Sequence, residues 1–198
     1  MSHLHDGDRV VDVAGGVGTY ASVIVRQRPV TVVGVDISEG VIRVRGEDPL
    51  LAENAVGDME DLPYGDETFD ATMFIAALHH VPDPLPALQE AYRVLRPGGQ
   101  LFAFEPSSLG ARKGNVPIPG SPHEFRMSRR WLLERLRTAG FEVVEAEGHR
   151  IAIRALRRLH ATPSARDWRI ATTADRALRR LPGLNQLGEV VRIRAVKH

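Results

Sequence analysis

Runs of β-branched and small apolar residues alternate along this chain with segments whose apolar positions recur at helical spacing. Val10-Val11-Asp12-Val13 and Val30-Thr31-Val32-Val33-Gly34-Val35 are apolar almost throughout, the pattern of strands covered on both faces. The pattern returns in Phe69 to Ile75 and in Gln100 to Phe104, and a brief strand is expected over Glu53 to Val56. Helices are predicted between them. The first runs from Gly18 to Arg28 and is closed by Pro29; a short second is capped by Ser38 and ends before Pro49. A third is entered through Asp83-Pro84, with Leu85, Leu88, Ala91, Tyr92 and Leu95 on one face, and is ended by Pro97-Gly98-Gly99. Strand and helix in turn predict an α/β fold on a parallel sheet.

The second half is less regular. Ser128 is placed to cap a helix over Arg129 to Thr138, with Trp131, Leu132, Leu133 and Leu136 inward and Gly140 at its end. Phe141 to Glu147 and Glu189 to Val196 alternate as strands. Between those two, Ile151 to His160 and Asp167 to Leu181 read as amphipathic helices. In the second, Ile170, Ala174, Ala177, Leu178 and Leu181 are expected on one face, with Arg169, Arg176, Arg179 and Arg180 mostly elsewhere. Ser107 to Met127 is rich in glycine and proline and has little periodicity, so it is expected to be a long lid loop.

Composition narrows the class. With 198 residues and 43% hydrophobic content, one domain is expected over 1–198, carrying the lid at 107–127 and a helical insertion at 150–181. No apolar run is long enough to span a bilayer, and Met1 to Asp8 is too polar for a signal peptide, so a cytoplasmic protein is expected. The absence of cysteine excludes disulfides, cysteine-bound zinc and a cysteine nucleophile. Charge is uneven: residues 1–125 hold 9 Lys+Arg against 18 Asp+Glu, whereas residues 126–198 hold 17 against 7. The basic half reads either as solvated helix faces or as a surface for an anionic acceptor, a partner or nucleic acid.

The densest chemistry lies where the first strand runs into Ala14-Gly15-Gly16-Val17-Gly18. A buried strand, a glycine turn and a helix N-terminus together offer free N–H groups and unobstructed backbone to a nucleotide-type ligand. Two ligands fit. Gly16-Val17-Gly18-Thr19-Tyr20-Ala21 matches the dinucleotide pattern G-x-G-x-x-G/A, with Asp36 at the end of the next strand for ribose hydroxyls. The longer frame Asp12-x-Ala14-Gly15-Gly16-x-Gly18 puts a carboxylate just before the turn. That charge repels a pyrophosphate and suits a ligand with an ammonium and a sulfonium group, such as S-adenosylmethionine.

Downstream segments add a resemblance. Val56-Gly57-Asp58-Met59-Glu60-Asp61-Leu62-Pro63-Tyr64, then Phe69 to Ile75, Ala77-Leu78-His79-His80-Val81 and Leu95-Arg96-Pro97-Gly98-Gly99-Gln100-Leu101 follow in this order. The chain thereby resembles the class I, seven-strand S-adenosylmethionine-dependent methyltransferases, in the broad group that includes quinone C-methyltransferases and many small-molecule methyltransferases. The resemblance implies a doubly wound seven-stranded sheet of order 3-2-1-4-5-7-6, with strand 7 antiparallel; the helical insertion between strands 6 and 7 is where the chain departs most from a minimal methyltransferase. It implies S-adenosylmethionine as cofactor, held by Asp12, Ala14, Gly15, Gly16, Gly18, Asp36, Ile37, Asp58, Met59 and Ile75. Asp58 is expected to accept from the adenine amino group, and Met59 to pack against the ring or offer its backbone N–H. Where the family's turn has glycine this chain has Ala14, and an alanine with negative φ is expected there.

Methyl transfer from a sulfonium needs alignment, exclusion of water and in some cases removal of a proton. His79, His80, His123, Glu105 and Glu124 are the candidate bases or orienting groups. No metal is expected, because the two histidines are adjacent and lack an acidic partner at ligand spacing. The acceptor is expected to be a small molecule, with nucleic acid disfavoured because Trp168 stands alone among the arginines. The family carries a few dozen residues before its first strand, which here begins near Arg9. Cover for the site is therefore expected from 107–127, from 150–181 or from the second subunit of a homodimer. The alternatives are a non-catalytic S-adenosylmethionine-binding module with a basic contact region and a nicotinamide oxidoreductase, the latter opposed by the lack of Tyr-x-x-x-Lys.

Overall fold

A computed structural model describes residues 3–51, 53–107, 115–118, 120–149, 152, 164–178 and 189–198. The elements are β1 (Arg9–Val13), α1 (Thr19–Gln27), β2 (Thr31–Asp36), α2 (Glu39–Arg45), β3 (Asn54–Val56), β4 (Phe69–Ile75), α3 (Leu85–Val94) and β5 (Leu95–Pro106). There follow β6 (Asn115–Ile118), β7 (Ser121–Met127), α4 (Arg129–Thr138), β8 (Glu142–His149), α5 (Ala165–Leu178) and β9 (Val190–Val196). Seven strands form one sheet in the order β3-β2-β1-β4-β5-β9-β8. β9 runs antiparallel to both neighbours, so β8 is parallel to β5. This is the expected order, with the expected antiparallel strand between the fifth strand and its outer neighbour.

Strand alternation sorts the core into two layers. Val11 and Val13 join Val33, Val35, Phe74, Leu88, Leu101, Leu132 and Leu136 in the layer under α3 and α4. Val10, Val32, Ala71, Met73 and Phe102 face the other way, packing with Ala21 and Ile24 of α1 and with Leu51. Asp12 follows Val10 onto the α1 side by the two-residue period. Two predicted caps form: Ser38 accepts from Val41 N at 3.4 Å and Ser128 from Trp131 N at 3.2 Å. The third is displaced by one residue, because α3 starts at Leu85 with Pro84 in the N-cap position, and Asp83 instead accepts from Leu85 N at 3.0 Å in the turn before it.

Three further expectations are corrected. Leu95 is not the end of α3 but the first residue of β5; it is buried and stands opposite Phe69 of β4. The segment expected as a lid loop contains a two-stranded ribbon, β6 with β7, turned at Gly120 with φ +84°. Pro117 sits within β6, which a ribbon tolerates because each strand has a free edge. In α5 the buried positions are Ala171 and Asp175, while Ile170 is 58% exposed and Ala177 is also on the surface. Asp175 is buried because its carboxylate accepts the backbone N–H of Ala152 at 2.5 Å. Leu181 and all but Ala152 of the first expected insertion helix lie outside the described residues.

Candidate active site

The glycine turn leaves β1 at the carboxyl edge of the sheet and is fixed on two sides. Toward β2, Gly15 N donates to Val35 O at 3.3 Å and Gly16 N donates to Asp36 Oδ2 at 3.1 Å. The other Asp36 oxygen accepts from Ser38 N at 3.0 Å, so this carboxylate ties the turn to the start of α2. Asp36 is half-buried, and both its oxygens keep a further lone pair for a hydrogen-bond donor. Beneath the turn lies Asp12. A Cβ on Gly15 would stand 2.1 Å from Asp12 Oδ2, so glycine is required for the turn to rest on that carboxylate. Gly16 (φ +57°) and Gly18 (φ +80°) are left-handed, and a Cβ on Gly16 would meet nothing within 4 Å. The turn therefore presents bare backbone to open space, as a nucleoside ligand needs.

Two expectations about this turn change. Ala14 has φ +51°, in the left-handed region and not at negative φ, so its methyl group is strained. Asp12 is not displayed to a ligand: it is 1% exposed and paired with Arg45, whose Nη1 donates to Oδ2 at 2.8 Å. Burial pushes the Asp12 carboxyl up, and the Arg45 charge beside it pulls the other way. Arg45 is the residue that sequence reading missed. An arginine in a short helix reads as solvated, but an acid inside a buried strand requires a cation, and that requirement was the available signal.

The remaining donor-site candidates surround the same edge. Ile37 projects just past β2 and is 71% exposed. Asp58 is exposed after β3 and accepts from Glu60 N at 2.9 Å, while Met59 is half-buried against the core. Ile75, half-exposed, ends β4. The next residue, Ala76, is left-handed at φ +54°, so both strand-end alanines beside the site carry backbone strain.

Past Ala76 the chain enters a 3-10 turn, Leu78–His80, organised by Glu105 of β5. Glu105 has no solvent exposure. Its Oε1 accepts from Ala77 N at 2.8 Å and Leu78 N at 3.0 Å, and its Oε2 faces His79 Nδ1 at 3.2 Å. A carboxylate only accepts, so Nδ1 is the donor, and in the neutral ring this leaves His79 Nε2 with the lone pair. Glu105 therefore has the geometry of an orienting group, not of a base that meets substrate. His79 retains 12% side-chain exposure. The His80 ring lies against it, centroids 4.1 Å apart, and donates through Nδ1 to the His123 carbonyl at 3.0 Å. That bond fastens the β6–β7 ribbon over the turn. His123 offers its backbone while its side chain is exposed, and Glu124 is half-buried in β7. Among the described residues no three His, Asp or Glu side chains converge as a metal ion requires.

Comparison with known proteins agrees with this geometry. Residues 11–103 match the model of a methyltransferase domain family. The ubiquinone/menaquinone biosynthesis C-methyltransferase of Hydrogenovibrio crunogenus is 37% identical over 118 residues, covering 55% of this chain and 46% of that one. The 27-O-demethylrifamycin SV methyltransferase of Amycolatopsis mediterranei is 35% identical over 122 residues, covering 56% and 44%. The chain thus covers less than half the length of these relatives. Among solved structures, the cyclase SpnF aligns with a TM-score of 0.69 at 24% identity, over 98% of this chain and 76% of that one. An S-adenosylmethionine-dependent methyltransferase from Mesorhizobium loti aligns with a TM-score of 0.67 at 18% identity, over 97% and 92%. These structural likenesses show the shared fold; the sequence matches and the glycine turn carry the family. Residues 11–103 are thus a class I S-adenosylmethionine-dependent methyltransferase domain.

Proposed function

We propose that this chain transfers a methyl group from S-adenosylmethionine to a small organic acceptor bearing an ionisable hydroxyl, with His79 as the base. The pairing of His79 Nδ1 with the buried Glu105 carries this reading. The bound donor supplies an electrophilic methyl group on a sulfonium. Gly15, Gly16 and Gly18 hold it by backbone, Asp36 takes its ribose hydroxyls, and Ile37, Asp58, Met59 and Ile75 frame the adenine and the methyl group. His79 Nε2 accepts the hydroxyl proton as the acceptor oxygen gains electron density, and Glu105 stabilises the imidazolium that forms. The same proton removal activates either the oxygen or a conjugated ring carbon. One base thus serves both acceptor types in the relatives' names, a quinone C-methylation and a demethylrifamycin methylation.

The test is transfer of labelled methyl from S-adenosylmethionine to a panel of phenols and quinols by the native chain and by His79→Ala. Native transfer is expected, with turnover in the variant lower by about 100-fold or more and donor affinity retained. Donor binding without transfer to any acceptor would instead support a non-catalytic S-adenosylmethionine-binding module. Equal turnover in His79→Ala would remove the base from its role.

A further inference from the structure

Arg45 is the largest fully buried side chain among the described residues, and it lies directly under the donor turn. It fills space that two glycines leave: a Cβ on Gly34 would stand 2.0 Å from its Nε, and one on Gly18 would stand 3.0 Å from its Nη1. Nε donates to Asn54 Oδ1 at 2.6 Å. Nη1 faces three acceptors, Asp12 Oδ2 at 2.8 Å and the carbonyls of Gly15 and Gly16, each at 3.5 Å. Asp12 Oδ1 and Arg45 Nη2 are buried without a hydrogen-bond partner among the described residues. So incompletely satisfied a pair is a poor stability device, since well-packed apolar residues commonly replace a buried ion pair at no loss.

What the pair does hold is two peptide planes. The Gly15–Gly16 peptide is gripped at both ends, its carbonyl against Arg45 and its N–H on Asp36 Oδ2. The Gly16–Val17 peptide turns its carbonyl down to Arg45. In a trans peptide the N–H points opposite to the carbonyl, so Val17 N–H is aimed away from Arg45, toward the open side of the turn. We propose that Arg45, seated on Asp12, is a positioning residue for the donor, holding the Gly15–Gly16 and Gly16–Val17 peptides so that the Val17 N–H faces the ligand. The proposal rests on the donor reading above. It also gives Asp12 a role through the turn, its charge being matched by Arg45 instead of by a ligand ammonium.

Calorimetric titration with S-adenosylhomocysteine, alongside thermal melting, tests this in Arg45→Met, Arg45→Lys and the double variant Asp12→Asn/Arg45→Met. Arg45→Met leaves a buried carboxylate unpaired and is expected to lower both Tm and affinity. The double variant removes that charge and is expected to recover most of the lost Tm while its Kd stays raised by about tenfold, the worth of one hydrogen bond. Arg45→Lys keeps a charge opposite Asp12 without the guanidinium fork, so it gives a folded protein with a raised Kd even where Arg45→Met does not fold. Recovery of Kd together with Tm in the double variant, or a native Kd in Arg45→Lys, overturns the proposal and leaves Arg45 as packing. Absence of binding by the native chain overturns the donor reading itself, and this inference with it.

Discussion

Replacing Glu105 by glutamine isolates the orientation of His79 from the shape of the site. In Glu105→Gln the new amide oxygen can still accept from Ala77 and Leu78, whose N–H groups stand 2.8 and 3.0 Å from Oε1 of the native carboxylate. The amide nitrogen then occupies the place of Oε2, 3.2 Å from His79 Nδ1, and presents a donor where the carboxylate presented an acceptor. His79 must move its proton to Nε2, which turns the proposed base into a donor. The kinetic loss is that of general-base catalysis, about 10²- to 10⁴-fold in turnover, or about 3–5 kcal/mol. Weakening two charge-assisted bonds costs about 1–2 kcal/mol in stability, hence about 2–8 °C in Tm for a chain of this size. Turnover with the best acceptor, donor Kd and Tm are measured on the same preparation. Turnover within about threefold of native, with Tm lowered as expected, would show that Glu105 serves the fold and not the base.

Three further outcomes are expected. Ala14→Gly relieves about 1–2 kcal/mol of left-handed strain and adds about 0.4–1 kcal/mol of unfolded-chain entropy, a net gain of about 0.5–1 kcal/mol seen as a higher Tm; a lower Tm contradicts the strain. Asp36→Ala loses the ribose acceptor together with the clasp on Gly16, and donor Kd by calorimetry rises about 30- to 150-fold; unchanged affinity ends the ribose assignment. His80→Phe keeps a ring beside His79 but releases the His123 carbonyl, so acceptor KM rises about three- to tenfold at constant donor Kd; a native KM means that the ribbon plays no part in holding the acceptor.

The sheet was legible because its inner strands are covered on both faces and so read as unbroken apolar runs. The β6–β7 ribbon was not, since neither of its strands is sandwiched and Pro117 interrupts what pattern there is. The face of α5 was misjudged for a related reason: periodicity counts apolar residues, whereas Asp175 is inside because a backbone N–H needs its carboxylate. At the site, Gly15, Gly16 and Gly18 were readable as residue types demanded by a tight turn, and Asp36 as the acid that ends the neighbouring strand. Ala14 was not, because φ at a strand end is decided by where the chain must go next. Glu105 and His79 were visible only as two candidates among five. Their pairing across 26 positions depends on β4 and β5 lying side by side in register, Ile75 opposite Phe104.

The placement of β9 sets an order on folding. It is synthesised after both of its neighbours, yet it lies between β5 and β8 and bonds to each along its length. Until it emerges, β5 presents a long unpaired edge running from Gln100 to Pro106, and β8 has no place in the sheet. An exposed edge of that length is a template for pairing with another chain, so a nascent or truncated form is aggregation-prone even though β1 to β5 are complete. Glu105 stands on that edge opposite Val191, so the strand that orients His79 acquires its second neighbour only when β9 inserts. The glycine turn, held between β1, β2 and the helices that follow them, requires no such closure. The edge that carries the glycine turn is therefore complete before the strand that holds Glu105 gains its second neighbour, which waits on the most distant pairing in the sheet.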